Sequence, residues 1–201
     1  MVFGCIGGWG MLKQYSFCEI IKNVYSLVLT KLTLPQCRLL RRPIYMRGIK
    51  SIEGAKGLTV GYGCRFDLEG TKRTLFIGDN CQFGDNTHIV ALQSVKIGND
   101  VLIASNVFIS DTNHGSYKGV IQSSPNEAPN ERNLEYNNVV IGNNVWIGQN
   151  AVILAGSNIG DGAVVGANSV INSKIPASYI VVGNNRLVKR YDFDEKKWIR
   201  L

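Results

Sequence analysis

The sequence contains only two histidines, His88 and His114, and five cysteines (Cys5, Cys18, Cys37, Cys64, Cys81) with no CxxC pair among them. Two imidazoles cannot supply a three-histidine zinc site, and thiols scattered this way build neither a zinc ribbon nor a disulfide framework. No metal is expected, and an odd number of dispersed cysteines fits a reducing, cytoplasmic compartment. No run of eighteen apolar residues occurs, so no membrane-spanning helix is expected. The opening ten residues are apolar but lack a basic region and a cleavage site, so no signal peptide is expected. Acids are nearly missing from the first quarter of the chain. Residues 1–50 carry eight Lys/Arg and one acid, Glu19, whereas the remaining 151 residues carry fourteen of each sign. The whole net charge of +7 therefore belongs to the N-terminal segment. No interleaved aromatic and basic pattern appears, so nucleic acid is not an expected partner.

What the chain does have is a beat of six. Large apolar residues recur at Ile141, Ile147, Ile153, Ile159, Val165 and Ile171, and earlier at Ile77, Phe83 and Ile89. After a two-residue slip the beat resumes at Ile97, Ile103 and Ile109. Six matches neither the helical nor the flat-strand period, so the pattern is an internal repeat. Aligned as hexads, the second position is small except at Leu154. The fourth is Asn80, Asn86, Asp100, Asn106, Asn144, Asn150, Gly156, Gly162 and Asn168. Those residue types accept a left-handed backbone most cheaply. Each hexad thus reads as a short strand and a tight corner, and three hexads close a triangular coil. One coil cannot bury its own apolar face, so coils stack into a parallel β-helix.

The expected organisation has three parts. Residues 1–43 form a basic segment with an amphipathic helix over 11–33. Residues 44–183 form the β-helix, with an inserted loop at 115–138 where the rhythm stops. Residues 184–201 form a charged, aromatic tail packing back on the prism. The helix has two compatible readings: it lies on an anionic membrane surface with Arg38, Arg41 and Arg42, or it caps the exposed edge of the first coil.

Chemistry is expected where the repeat breaks. Asp111-Thr112-Asn113-His114-Gly115 replaces good repeat residues by polar ones beside the insertion. His114 is the candidate general base, with Asp111 or a backbone carbonyl holding its tautomer. Asp111 and Asn113 are candidate substrate contacts. His88, beside Asn86, is read as a structural or substrate-contacting residue. His88, His114 and Trp146 fall at different corners of one prism, and residues so dispersed converge only where two prisms pack together.

The stretches Ile97-Gly98-Asn99-Asp100-Val101-Leu102-Ile103-Ala104 and Ile141-Gly142-Asn143-Asn144-Val145-Trp146-Ile147-Gly148, with Ser110–Gly115 and Lys174-Ile175-Pro176, resemble the hexapeptide-repeat acyltransferases. Over about residues 40 to 190 the chain is similar to the galactoside and maltose O-acetyltransferase branch, and looks like a bacterial lipopolysaccharide O-antigen or capsule O-acetyltransferase. The resemblance implies an all-β, left-handed parallel β-helix forming a homotrimer, with acetyl-CoA as co-substrate and sites between subunits. It maps the family's histidine onto His114, the base for a sugar hydroxyl, and its acetyl-CoA channel tryptophan onto Trp146. It places the pantetheine arm near Gln149 and Ala167, the CoA phosphates near Lys174, Arg186 and Lys189, and a polar substrate contact at Asn86. The acceptor implied is a sugar or lipid-linked oligosaccharide, the location the cytoplasm or the inner face of its membrane. An N-acetyltransferase on an amino sugar or amino acid is the nearest rival reading. A non-enzymatic β-helix scaffold is the other, although a scaffold has no reason to break its repeat at Asp111–His114.

Overall fold

A computed structural model describes residues 15–201. The expected first turn of the helix at 11–14 and the reading of the opening ten residues lie outside that range. The described chain is an α-helix followed by stacked parallel coils with three flat faces.

The first face runs β1 (Leu39–Leu40), β4 (Thr59–Val60), β7 (Gln82–Phe83), β10 (Leu102–Ile103), β15 (Trp146–Ile147), β18 (Val164–Val165) and β21 (Tyr179–Val182). The second runs β2 (Tyr45–Arg47), β5 (Arg65–Leu68), β8 (His88–Ala91), β11 (Phe108–Ser110), β16 (Val152–Ile153) and β19 (Val170–Ile171). The third runs β3 (Ile52–Gly54), β6 (Leu75–Ile77), β9 (Val95–Ile97), β14 (Val139–Ile141), β17 (Asn158–Ile159) and β20 (Lys174–Ile175). Each strand pairs in parallel with its counterparts one coil earlier and one coil later, which stacks like residues on like. On the second face Phe66, Ile89, Ile109, Ile153 and Ile171 stand in register and are buried. This is the left-handed parallel β-helix implied by the hexads and the resemblance.

The corners show why the repeat has its composition. All nine fourth-position residues have positive φ, from Asn80 at 58° to Asn168 at 57°, with Gly156 and Gly162 at 87° and 65°. The second position is small because the next coil passes against it. A Cβ on Gly84 would stand 2.6 Å from the Ser105 nitrogen, and one on Gly98 would stand 2.6 Å from the Gly142 carbonyl carbon. Cysteines fill small inward corner positions: the Cys64 and Cys81 thiols each donate to a carbonyl of the next coil, Gly84 and Gly98, at 3.1 Å. Burial pushes the Cys64 thiol up to about 11, so it is a packing group and not a nucleophile.

Both ends of the prism are covered. Helix α1 (Phe17–Thr33) opens with a capping box, in which the Ser16 hydroxyl accepts from the Glu19 N–H and the Glu19 carboxylate accepts from the Ser16 N–H. Its buried Ser26 and Thr30 face the edge of the first coil. Thr30 Oγ1 accepts from the Leu40 N–H at 2.9 Å, and Ser26 Oγ accepts from the Arg42 N–H at 3.2 Å. At the other end β22 (Arg186–Asp192) and β23 (Lys197–Arg200) add antiparallel strands to the first face beyond β21.

Asn144 tests the corner geometry, because its φ is 55° and it is exposed. Asn144→Gly is expected to leave unfolding free energy within about 1 kcal/mol, whereas Asn144→Val should lose about 2 kcal/mol. Denaturant unfolding of the two variants measures the difference, and equal losses would contradict the corner assignment.

Candidate functional site

The two-residue slip in the repeat and the polar hexad after it turn out to be one device. The extra residues widen the corner of the third coil at Leu92-Gln93-Ser94, leaving three backbone N–H groups pointing at the coil above. Asp111 sits there fully buried, and its carboxylate accepts from Leu92 at 3.1 Å, Gln93 at 2.8 Å and Ser94 at 2.7 Å. Its own carbonyl accepts from the Asn137 N–H at 2.9 Å, where the insertion returns. The sequence offers Asp111 as a candidate substrate contact and, with a backbone carbonyl as the alternative, as a holder of the His114 tautomer. The structure corrects this, because both carboxylate oxygens are committed to the neighbouring coil.

Beyond that anchor the insertion is a built hairpin, and it starts earlier than residue 115. β12 (Thr112–His114) pairs antiparallel with β13 (Leu134–Tyr136), placing His114 opposite Leu134 and Asn113 opposite Glu135. His114 and Asn113 are exposed. Tyr117 folds back so that its hydroxyl donates to the His114 carbonyl at 2.7 Å, and Arg132 Nη1 donates to that hydroxyl at 2.7 Å. Arg132 also donates twice to the Glu127 carbonyl, at 3.1 and 2.8 Å. Gly115 has φ 97°, and a Cβ there would meet Ser123 Oγ at 2.8 Å and Arg132 Cδ at 3.0 Å. His114 is thus a solvent-facing imidazole on a rigid mount. The mount residues Tyr117 and Arg132 lie outside the repeat, so no period could have marked them.

The other candidates occupy other parts of the prism. Asn86 belongs to a ladder at the corner between the first and second faces, where its amide donates to Asn106 Oδ1 at 3.1 Å; Asn150 and Asn168 repeat the contact higher up at 3.1 Å. That is a structural use of the side chain, where a substrate contact was expected. His88 lies on the second face with Nε2 3.0 Å from Asp67 Oδ2 and its ring edge-on to Phe108 at 5.2 Å. Arg65 and Arg47 hold the same carboxylate at 2.6 and 3.5 Å. Partial burial pushes Asp67 up, but the Arg65 and His88 hydrogen bonds and charges outweigh it and hold the carboxyl below the usual range.

Trp146 stands on the outside of the first face between Leu102 and Val164, 49% exposed. Gln149 and Ala167 are exposed at the following corner, one coil apart, with the Asn168 N–H donating to the Gln149 carbonyl at 2.9 Å. Arg186 and Lys189 are exposed on β22, paired with Val182 and Ile180 on the same face. Lys174 is exposed on the third face. Within one chain, therefore, Trp146, Gln149, Ala167, Arg186 and Lys189 share one side of the upper coils. His114 and Lys174 do not join them. Among the described residues, no group of three or more His, Cys, Asp or Glu side chains is placed to hold a metal ion.

The bacterial transferase hexapeptide model, covering six repeats, matches residues 138–173, and the hexapeptide repeat of succinyl-transferase matches residues 75–111. The chain is 43% identical over 190 residues to WbbJ of Escherichia coli (strain K12), named for O-acetyl transfer in lipopolysaccharide biosynthesis, covering 94% of this chain and 96% of that one. It is similar to the structure of galactoside acetyltransferase in complex with coenzyme A (30% identity, TM-score 0.55, 71% of this chain and 69% of that one). It also shares its fold with the N-acyltransferase AntD of Bacillus cereus, solved with dTDP and 3-hydroxybutyryl-CoA (18% identity, TM-score 0.68, 90% and 91% coverage). The chain belongs to the hexapeptide-repeat transferase family.

Asp111→Ala is expected to destabilise the fold by about 3 kcal/mol, since it removes a buried acceptor of three part-buried N–H groups. Faster amide exchange should be confined first to Leu92–Ser94. His114→Ala, at an exposed position, should stay within about 0.5 kcal/mol. Denaturant unfolding with residue-resolved hydrogen exchange measures both.

Proposed function

We propose that this protein transfers an acetyl group from acetyl-CoA to a hydroxyl of a surface-polysaccharide sugar, with His114 as general base. The observation that carries the reading is an exposed imidazole held on an anchored hairpin, in a chain similar over nearly its whole length to WbbJ. The sugar hydroxyl oxygen attacks the thioester carbonyl while the imidazole removes its proton. The C–S bond breaks, the new ester C–O bond remains, and the CoA thiolate takes the proton from the imidazolium. Asn113, exposed beside His114, is the remaining candidate for contacting the acceptor.

The residues of the first face fit the acetyl-CoA side. Trp146 offers an exposed ring, Gln149 and Ala167 offer corner backbone, and Arg186 and Lys189 offer positive charge for phosphates. Lys174 reaches such a site only from the third face. These groups and His114 sit on different faces of one convex prism, so the proposed site lies between subunits of a homotrimer. Outward side chains support that packing. They are apolar on the upper coils of two faces, Leu102, Trp146, Val164 and Ile180 on the first and Phe108, Val152 and Val170 on the second, whereas the third alternates Glu53, Phe76, Lys96, Val140, Asn158 and Lys174. The favoured acceptor is lipid-linked and the favoured location the inner face of the cytoplasmic membrane, a reading that the basic N-terminal segment supports.

His114→Ala should lower kcat for acetyl transfer by about 10²- to 10⁴-fold while acetyl-CoA affinity and oligomer mass stay unchanged. Retained turnover would sink the general-base role. Turnover on amino sugars, with none on hydroxyl acceptors, would replace the O-acetyl reading by N-acylation.

A further inference from the structure

Helix α1 is inverted. Its buried stripe is polar, Ser26 and Thr30, and these hydroxyls are occupied by N–H groups of the first coil. Asn23, on the same side, accepts from the Tyr62 hydroxyl at 3.3 Å. The opposite side carries Phe17, Ile21, Val24, Tyr25, Val28 and Leu32, which fall within an arc of about 100° at the helical period. All six are exposed, from 53% at Ile21 to 76% at Phe17 and Leu32. An apolar stripe of this kind normally faces a core, and here it faces away from the protein because the edge strand needs hydrogen-bond acceptors more than it needs apolar contact.

The charge around the stripe is of one sign. Lys22, Lys31, Arg38 and Lys50 are exposed in or just after the helix, Arg41 and Arg42 are half-buried, Arg47 is paired with Asp67, and Glu19, already bound to Ser16, is the sole acid between residues 15 and 50. A second copy of the chain would bring a like positive field against this one, which opposes pairing across the stripe. A bilayer with anionic headgroups complements both features, since the apolar arc enters the headgroup boundary while the basic side chains meet phosphates.

We infer that the outer face of α1 is a membrane-docking surface selective for anionic phospholipid. It sets the prism with its first coil toward the bilayer. The root of the His114 hairpin, three coil steps further along, then stands about 14 Å above that coil. This deepens the lipid-linked acceptor reading and rests on it only for its purpose, because docking is measured without any acceptor.

The test is flotation of the full chain with vesicles of phosphatidylcholine alone or with about one third phosphatidylglycerol, at low and high salt, beside Val24→Gln/Val28→Gln. Both substituted side chains are more than half exposed (55% and 54%), so unfolding midpoint and oligomer mass should not change. The expected result is binding to the anionic vesicles only, weakened at least about tenfold by salt and by the double substitution. No binding by the unaltered chain, or binding equal on neutral vesicles, overturns the inference. A double variant of lower oligomer mass also overturns it, since the stripe would then belong to a contact between copies. Acetyl-CoA affinity, measured in parallel, separates this outcome from failure of the transferase reading.

Discussion

The close approach of successive coils at their corners is the constraint on which the rest of the structure depends. Parallel strands lie about 4.8 Å apart, so each corner must complete its turn within a layer only that thick. Glycine at the second hexad position lets the backbone of the next coil pass, as at Gly148, where a Cβ would stand 2.5 Å from the Ala167 nitrogen. A left-handed residue at the fourth position then redirects the chain to the next face. Side-chain amides carry the same stacking outward: Asn99 Oδ1 accepts from the Asp79 N–H at 2.7 Å, and Asn143 Oδ1 from the Asn99 N–H at 2.8 Å. Once the corners are fixed, the inward aliphatics have no choice but to stack, and only outward positions and corner insertions are free to carry chemistry.

The His114 hairpin shows how a corner insertion is accommodated. An insertion in a stacked fold threatens the register of everything above it. Here the chain leaves after Asp111 and returns at Asn137, and the Asn137 N–H bonds back to the Asp111 carbonyl. The loop is closed at its base, and β14 resumes in register with β9 as if nothing had intervened. Asp111 is held from below by three amides of a corner that is two residues longer than the repeat allows. A buried carboxylate satisfied in this way is a rigid foundation, and the exposed imidazole inherits that rigidity through a three-residue strand.

The period made the fold readable, because each hexad column states a steric requirement: nine of nine fourth positions are left-handed, and the inward column from Ile77 to Ile171 is buried. What it could not reveal is which residue meets which across coils. Asn86 looks the same in sequence whether it waits for a substrate or bonds Asn106, and His88 becomes intelligible only when Asp67, one coil below, is placed beside it. Asp111 misled for the same reason: proximity to His114 in sequence suggested a shared task, whereas its partners lie 17 to 19 residues earlier. Helix α1 is a further case. Periodicity identifies an apolar stripe, but not which stripe the protein keeps, and the N–H groups of Leu40 and Arg42, which donate to Thr30 and Ser26, favour the hydroxyl-bearing side.

A triangular prism is convex everywhere, and this bears on how such a fold could catalyse anything. Its outward side chains diverge, so Trp146 on the first face and His114 beyond the second cannot enclose a substrate in one chain. In the proposed assembly a cleft is made by setting one prism against another, and the apolar outward residues on the upper coils of the first and second faces suit that packing. The proposed trimer is consistent with the geometry of the repeat: faces that diverge from one another bring Trp146 and His114 together only by association.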